Sequence, residues 1–317
     1  MASRLRFSGI ETAVMTPTFV AHCPAKVNLS LRIQGRRSDG YHEVRTVLQT
    51  IDIWDRLEAR LAPQLHLTCE EPWVPNDDSN LVIMAARALQ RLYPDRCGGA
   101  LLRLRKGIPV GAGLGGGSSD AAGTLLLLTR LWNLSPRAEV LNEVAADLGS
   151  DVAFFLRGGT ALGTGRGERV EPLPALGEFP VVLGFPPFGL STAEVYRCLS
   201  SKLTALDDDV TVCPPLSSKL PGRNDFSAAA NDLEAVVFAG RPELKDFRDA
   251  LLHAGAEVAL LSGSGSAVFG IFRDELCGGR AMQALEGRFS DWRLVPTRTV
   301  ESAAWVEEAS GAGTDSG

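Results

Sequence analysis

The segment PVGAGLGGGSSDAA at residues 109–122 is unusually rich in glycine and precedes an apolar run typical of a helix. Glycine lets the backbone adopt positive φ angles and lets another group approach the main chain closely. Ser118 and Ser119 are good N-cap residues, so the sequence predicts that the helix begins where the glycines end. The unpaired N–H groups and the positive end of the helix dipole would form a site for an anion, most often a phosphate. The alternative is a glycine-rich connection with a capped helix and no ligand.

Gly111, Gly113 and Gly116 match the GxGxxG pattern of dinucleotide-binding loops. That class also needs a second strand ending in an acidic residue about twenty positions later. The sequence instead predicts a long helix there and a second helix that starts at Ser135 and Pro136, which disfavours a nicotinamide dehydrogenase. A Walker A loop needs lysine after its last glycine, where this chain has serine, and the HRD and DFG signatures of protein kinases are absent. The loop therefore fits neither common nucleotide-binding pattern.

The composition is that of an ordinary globular protein, with 317 residues of which 45% are hydrophobic and 22% charged. The net charge of −6 excludes an overall basic surface for nucleic acid. No apolar run reaches the length of a membrane span, and the N-terminus lacks the apolar core of a signal peptide. The six cysteines form no CxxC pair. We therefore expect a cytoplasmic protein with reduced thiols, a small-molecule substrate, and neither a nucleic-acid nor a membrane partner.

From Ala25, the segment AKVNLSLRI alternates between apolar and polar residues, which predicts a strand whose polar face carries Lys26 and Asn28. The turn-forming segment at 35–40 and the β-branched run after it predict an antiparallel hairpin. Along the rest of the chain, predicted strands and helices mix without a regular βα alternation. This pattern indicates an α+β fold and argues against a doubly wound parallel sheet.

The glycine-rich segment resembles the second motif of the GHMP kinases, the family of galactokinase, homoserine kinase and mevalonate kinase. The likeness continues in PAKVNLSLRIQGRRSDGYHEV, LGSDVAFFLRGG and LSGSGSAVFG, and it runs from about Thr18 to Glu301. The resemblance implies a two-domain α+β fold with mixed and antiparallel sheets and the active site between the domains. We place an ATP-binding domain at residues 15–165 and a second domain at 166–303. The small and polar residues at 304–317 predict a disordered tail.

Phosphoryl transfer to an alcohol requires acceptance of the hydroxyl proton, alignment of the donor phosphates and stabilisation of the developing charge. The resemblance implies that Asp151 is the catalytic base and that Lys26 pairs with it. Without the resemblance, Asp151 could merely cap a helical turn and Lys26 could be a solvated strand residue. The ATP-binding residues implied by the second motif are Pro109, Gly111, Gly113, Leu114, Gly115, Gly116, Gly117, Ser118 and Ser119. The third motif implies that Gly263, Ser264 and Gly265 support the phosphate loop.

The likeness is greatest to the branch of the family whose acceptor carries a cytidine. It implies that Tyr41 stacks on the cytosine, that His42 hydrogen-bonds its edge, and that Asn28 contacts the acceptor. Thr192 and Tyr196 align with positions that complete this pocket. Magnesium would arrive with ATP, because no carboxylate pair in the sequence marks a dedicated metal cage. The alternatives are a family kinase for a smaller alcohol, such as homoserine or mevalonate, and a non-catalytic nucleotide-binding module.

Overall fold

The structure is a computed structural model that describes residues 17–204 and 225–309, with only the backbone described at 201–204. The predicted domain start at Met15 and the tail from residue 310 lie outside the described residues. The strands are β1 (Phe19–Arg36), β2 (His42–Ala62), β3 (His66–Cys69), β4 (Gly99–Arg105), β5 (Thr160–Thr164), β6 (Arg169–Pro172), β7 (Pro180–Phe185), β8 (Ala230–Asn231), β9 (Val258–Leu261), β10 (Val268–Ile271), β11 (Arg293–Arg298) and β12 (Trp305–Glu308). The helices are α1 (Leu81–Leu92), α2 (Gly116–Leu131), α3 (Ala138–Leu148), α4 (Val152–Phe155), α5 (Thr192–Thr204), α6 (Glu234–Gly240), α7 (Pro242–His253) and α8 (Glu275–Glu286).

The first sheet has eight strands within these ranges, in the order β12-β1-β2-β4-β3, with β5 beside β2, β6 beside β5 and β8 beside β1. Its pairs are antiparallel except for β3 with β4 and β8 with β1. The predicted hairpin is confirmed as β1 and β2. Strands β6, β8 and β12 follow the predicted domain boundary at residue 165 yet join this sheet. The sheet that carries the site is therefore built from both halves of the chain.

The second sheet found in the described part of the chain is antiparallel, in the order β11-β7-β10-β9. Phe247 of α7 packs in one apolar cluster with Val182 and Leu261 of this sheet. Another cluster joins the two sheets, because it contains both Leu29 of β1 and Phe269 of β10. The predicted α+β class with mixed and antiparallel sheets is confirmed, and apolar contacts on β1 hold the two halves together.

Strand β1 is buried on both faces along most of its length, and its surroundings change from one end to the other. At its start, Cys23 packs in the cluster beneath helix α2. The pairing with β2 is irregular between Pro24 and Ala25. Beyond that point the apolar face packs toward the second sheet, while the polar face presents Lys26 and Asn28 to a cavity. The alternation in the sequence therefore separates a packing face from a site face.

The segment Trp305–Glu308 corrects the expectation of a disordered tail from residue 304, because it forms β12 and pairs with the start of β1. The ring of His22 stacks on Trp305, with centroids 4.1 Å apart, and its Nε2 lies 3.0 Å from Glu307 Oε1. Ala304 donates its N–H to the carbonyl of Phe155 at 3.1 Å. A strand of only four residues shows little periodicity in the sequence. Its pairing with β1 orders it, and this pairing is a tertiary contact that the local pattern does not reveal.

We predict that Gly123→Ala destabilises the protein, because a Cβ at this position would overlap the sulfur of the fully buried Cys23. Overpacking of a dense core typically costs about 1–3 kcal/mol. The loss is measurable as a lower denaturant midpoint at constant slope.

The matched control is Gly279→Ala in α8, where a Cβ meets nothing within 4 Å. That change should be neutral or stabilising, by up to about 1 kcal/mol, because alanine is the better helix former. In a Cys23→Ala background, Gly123→Ala should cost less than in the wild type. Equal costs in both backgrounds would contradict the proposed overlap with the sulfur.

Candidate active site

A cavity of about 1050 Å³ lies between the glycine loop, the polar face of β1 and helix α5. The predicted site residues that line it are Lys26, Asn28, Tyr41, His42, Pro109, Gly111, Gly113, Leu114, Gly115, Gly116, Gly117, Ser118, Asp151, Thr192, Tyr196, Gly263 and Ser264. Ser119 and Gly265 do not line it. The fold therefore brings most of the predicted residues, from six separate stretches of sequence, to one concave surface.

The ammonium of Lys26 connects three of these stretches. It donates to the side-chain oxygen of Asn28 at 2.7 Å and to the carbonyl of Gly113 at 2.8 Å, and it lies 3.4 Å from Asp151 Oδ2. The side chain is only 5% exposed, and a lysine is rarely buried to this extent without partners. Asn28 is itself held, because it donates to Thr46 Oγ1 at 2.8 Å. These contacts fix the ammonium between the glycine loop and the carboxylate.

Asp151 stands at the N-terminal end of the short helix α4, and its side chain makes no capping hydrogen bond. The helix is anchored by Phe154 and Phe155, which are fully buried. The carboxylate remains 29% exposed and faces the cavity. Asp151 therefore occupies the N-cap position without making the capping hydrogen bond, and its place beside Lys26 is compatible with a proton acceptor.

Helix α2 begins at Gly116, with Gly115 as its N-cap in the left-handed region at φ +74°. This start corrects the prediction that Ser118 and Ser119 cap the helix. The left-handed turn at Gly115 starts the helix earlier, so Ser118 lies in the first turn and Ser119 is fully buried. The N–H groups of the first turn that lack intrahelical partners therefore belong to Gly116, Gly117 and Ser118, and these residues line the cavity.

Gly113 is required by close contact between two loops. It has φ +78°, and a Cβ there would overlap the carbonyl oxygen of Ser262 and come within 2.9 Å of that of Gly265. The hydroxyl of Ser262 donates to the Gly113 carbonyl at 3.0 Å, and Ala267 donates its N–H to Ala112 at 3.1 Å. The third motif thus supports the glycine loop by backbone contact. Gly265 acts within that support and does not line the cavity.

Asn231 of β8 fixes the third motif from below. Its side-chain amide donates to the carbonyls of Leu261 at 2.9 Å and Gly263 at 2.7 Å. It is buried and lies directly opposite Leu31 in the parallel pairing of β8 with β1. The sequence reasoning missed this residue, because a two-residue strand gives no periodic signal.

A buried cluster of Lys106, Asp55 and Asp120 lies under the start of α2, and the sequence analysis did not predict it. Asp55 accepts the backbone N–H groups of Gly107 at 2.7 Å and Ile108 at 2.8 Å, and it also pairs with the Lys106 ammonium. The same ammonium donates to Asp120 Oδ2 at 2.6 Å. The cluster therefore ties β2, the segment before the glycine loop and α2 together.

Burial raises the pKa of Asp120 to about 8, and the attraction of Lys106 offsets only part of that shift. Asp120 Oδ1 has no hydrogen-bond partner among the described residues. Asp55 and Asp120 share one ammonium, so ionisation of the second carboxyl group is disfavoured once the first is charged. Gly116 lacks a side chain where this cluster needs room, since a Cβ there would lie 3.2 Å from the Lys106 nitrogen.

At the other end of the cavity, Tyr41 is 56% exposed and His42 is buried. The ring of His42 lies 5.2 Å from that of Tyr196, and burial lowers its pKa, with a smaller contribution from Arg36, so the neutral imidazole is favoured. Burial raises the pKa of Tyr196 to about 12. Thr192 Oγ1 lies 2.7 Å from Ser264 Oγ, which links α5 to the third motif. An exposed aromatic face beside a neutral imidazole suits a planar heterocycle.

Two family models match this chain. The model of the GHMP kinases N terminal domain covers residues 80–159, and that of the GHMP kinases C terminal covers residues 217–290. The first match includes the glycine loop and Asp151, and the second includes the loop at Ser262 that supports it. The chain belongs to the GHMP kinase family, a family of small-molecule kinases.

The chain is similar over most of its length to particular members of that family. The 4-diphosphocytidyl-2-C-methyl-D-erythritol kinase of Pelotomaculum thermopropionicum is 44% identical over 280 residues, which cover 87% of this chain and 96% of the relative. A crystal structure of 4-(cytidine 5'-diphospho)-2C-methyl-D-erythritol kinase is 34% identical, with a TM-score of 0.71, and covers 89% of this chain and 100% of that one. The homoserine kinase of Cytophaga hutchinsonii matches at a TM-score of 0.65 and 16% identity, covering 96% of this chain and 100% of that one, so it shows the shared fold alone.

We predict that stability falls as the pH rises toward 8, because the folded protein keeps Asp120 protonated while an unfolded aspartate ionises near pH 4. Folding then takes up a proton between these two values, and the free energy of unfolding falls by on the order of 1 kcal/mol per pH unit. Asp120→Asn removes this dependence and should become relatively more stable with rising pH. Melting temperatures measured from about pH 5 to about pH 9 test the difference.

The matched control is Asp95→Asn, because Asp95 is exposed to solvent whereas Asp120 is buried. Its stability profile should run parallel to that of the wild type. If the Asp120→Asn profile also runs parallel to the wild type, Asp120 is ionised in the folded protein and the assignment is wrong.

Proposed function

We propose that this protein is an ATP-dependent kinase that phosphorylates the 2-hydroxyl of 4-diphosphocytidyl-2-C-methyl-D-erythritol, a reaction of the non-mevalonate route to isoprenoid precursors. The observation that carries the proposal is the position of the Lys26–Asp151 pair. It lies between the glycine loop on one side and the Tyr41–His42 pocket on the other. Two findings support this assignment. The chain is a member of the GHMP kinase family, and its similar relatives are kinases of this cytidyl acceptor.

In this proposal, Asp151 accepts the proton of the attacking hydroxyl. The Lys26 ammonium orients the carboxylate and stabilises the negative charge that develops on the hydroxyl oxygen. The three donors of an ammonium are matched by three oxygens, those of Asn28, Gly113 and Asp151. The group is therefore held in place before substrate arrives, and positioning of this kind supplies much of the rate enhancement in phosphoryl transfer.

The glycine loop and the start of α2 would hold the phosphates of ATP. Gly116, Gly117 and Ser118, whose N–H groups lack intrahelical partners, line the cavity. A Cβ at Gly111 would meet nothing within 4 Å, so the backbone there is open to close approach. The apolar end of the cavity, at Trp73, Val74 and Leu81, would take the adenine.

Magnesium would be carried by the nucleotide, where it shields the charge of the phosphates. Within residues 17–204 and 225–309 there is no group of three or more His, Cys, Asp or Glu side chains that could hold a metal ion. Two carboxylates under the start of α2, those of Asp55 and Asp120, already share the ammonium of Lys106. In the same described ranges, no helix is both long and apolar enough to cross a bilayer.

At the acceptor end, Tyr41 would stack on the cytosine while His42 hydrogen-bonds its edge. Tyr196 lies beside His42 on one side. On the other it lies near Asp151, because the charge of that carboxylate contributes, after burial, to the raised pKa of Tyr196. Thr192 shares this part of the cavity wall. These residues would fix the distance between the base of the acceptor and the hydroxyl that reacts.

The experiment that tests the function measures ADP release with magnesium and ATP in the presence of one candidate acceptor at a time. The acceptors are 4-diphosphocytidyl-2-C-methyl-D-erythritol, homoserine and mevalonate, beside a reaction with none. Release with the cytidyl substrate alone is expected. Release with homoserine or mevalonate instead would show that the protein is a kinase but that the proposed acceptor pocket is wrong. No release with any acceptor, from protein that binds ATP, would indicate a non-catalytic nucleotide-binding module.

We predict that Asp151→Asn lowers turnover by about 100-fold or more, the usual effect of removing a general base. The affinity for ATP should change little and the fold should be retained, because asparagine keeps a side-chain oxygen that can accept from the Lys26 ammonium, which also keeps its bonds to Asn28 and Gly113. Steady-state rates together with ATP titration test this expectation. Asp147→Asn is the matched control, since Asp147 is exposed on α3, and near-normal turnover of Asp151→Asn would exclude Asp151 as the base.

A further inference from the structure

The turn between β5 and β6 places an arginine between the two ends of the acceptor site. On one side, Gly165 accepts the backbone N–H of Val44 at 2.7 Å, two residues beyond His42. On the other, a Cβ at Gly167 would lie 4.0 Å from Asp151 Oδ1. Arg166, between the two glycines, lines the cavity. The turn therefore spans the distance from the pocket for the base to the carboxylate.

The guanidinium of Arg166 is held over the ring of Tyr41, with its carbon 5.1 Å from the ring centroid. It also donates to the carbonyl of Ala146 at 3.2 Å. The Arg166 side chain is 29% exposed, so it is neither free in solvent nor fully enclosed. One face of the exposed Tyr41 ring is thus covered by a positive charge, and these contacts pre-order that charge beside the cavity.

The local charge balance of the turn is positive. Glu168 lies 3.9 Å from Arg166 Nε and 3.8 Å from Arg169 Nε, so one carboxylate is shared by two guanidinium groups. Arg169 is 68% exposed and is not among the cavity-lining residues. Asp39, across from the turn, also attracts Arg166. Of the two arginines of the turn, Arg166 is the one that lines the cavity.

We propose that Arg166 binds the diphosphate that links the cytidine of the acceptor to its reacting alcohol. The proposal rests on the proposed function. An acceptor whose base lies at Tyr41 and whose hydroxyl lies at Asp151 must pass its linker across the turn that carries Arg166. A guanidinium matches phosphate oxygens through paired N–H donors. Arg166 is then a specificity-determining residue, because an alcohol without a diphosphate leaves its charge unmatched.

The test compares the binding of CDP and of cytidine, which differ by the diphosphate alone, to the wild type, Arg166→Gln and Arg169→Gln by calorimetry. Charge-assisted hydrogen bonds of this kind predict that Arg166→Gln lowers the ratio of CDP affinity to cytidine affinity by about tenfold to a hundredfold. Because CDP and cytidine carry the same base, a change that acts only through the Tyr41 ring alters both affinities equally and leaves their ratio unchanged. Arg169→Gln is the matched control, and it should leave the ratio unchanged.

Two further measurements make the result decisive. Arg166→Lys keeps the positive charge and should recover part of the CDP affinity. If Arg166→Gln fails to fold, Arg166→Lys replaces it in the comparison and should show a smaller fall in the affinity ratio. In turnover, Arg166→Gln should raise the KM for the cytidyl acceptor and leave the KM for ATP unchanged. If the wild type turns over the cytidyl acceptor but Arg166→Gln has the same affinity ratio as the wild type, the role of Arg166 is overturned and the proposed function stands. A wild type that neither binds cytidine nor turns over that acceptor overturns the proposed function itself.

Discussion

The burial of the Lys26 ammonium is the constraint on which the rest of the site depends. A charge taken out of water is tolerated only where oxygens replace its hydration. Here the oxygens come from Asn28 on the same strand, from the backbone of the glycine loop and from Asp151. The lysine thus holds together segments that lie up to 125 positions apart in sequence, from Lys26 to Asp151. Neither the loop nor the carboxylate could move away without leaving part of this charge unmatched.

The two loops at the centre of the site meet through their backbones. At Gly113 no side chain fits between the glycine loop and the carbonyl of Ser262, and Asn231 fixes the opposite side of that second loop through Leu261 and Gly263. A surface made by main-chain atoms is fixed by the fold itself, whereas one made by long side chains depends on their rotamers. The support therefore needs an undistorted second sheet behind it.

The sequence predicted the parts of this site that depend on neighbouring residues, and it missed parts that depend on contacts between residues far apart in the chain. The alternation of β1 and the glycine-rich segment are local patterns, and they correctly indicated a hairpin and a loop before a helix. The exact start of α2 was missed because the left-handed turn at Gly115 competes with the capping preference of serine. The Lys106 cluster was missed because its two carboxylates come from β2 and α2, and only the fold brings them together. For Lys26 and Asp151, the roles came from resemblance to a family, while the structure adds their proximity.

The pairing of β12 with the first residues of β1 has a consequence for how the molecule is made. Phe19 lies opposite Glu308, so the beginning and the end of the described chain meet at one edge of the sheet that carries Lys26. During synthesis, that edge stays open until β12 has left the ribosome, although β1, which carries Lys26, emerges much earlier. The order of translation therefore leaves this sheet without its edge strand until residues 305–308 are available.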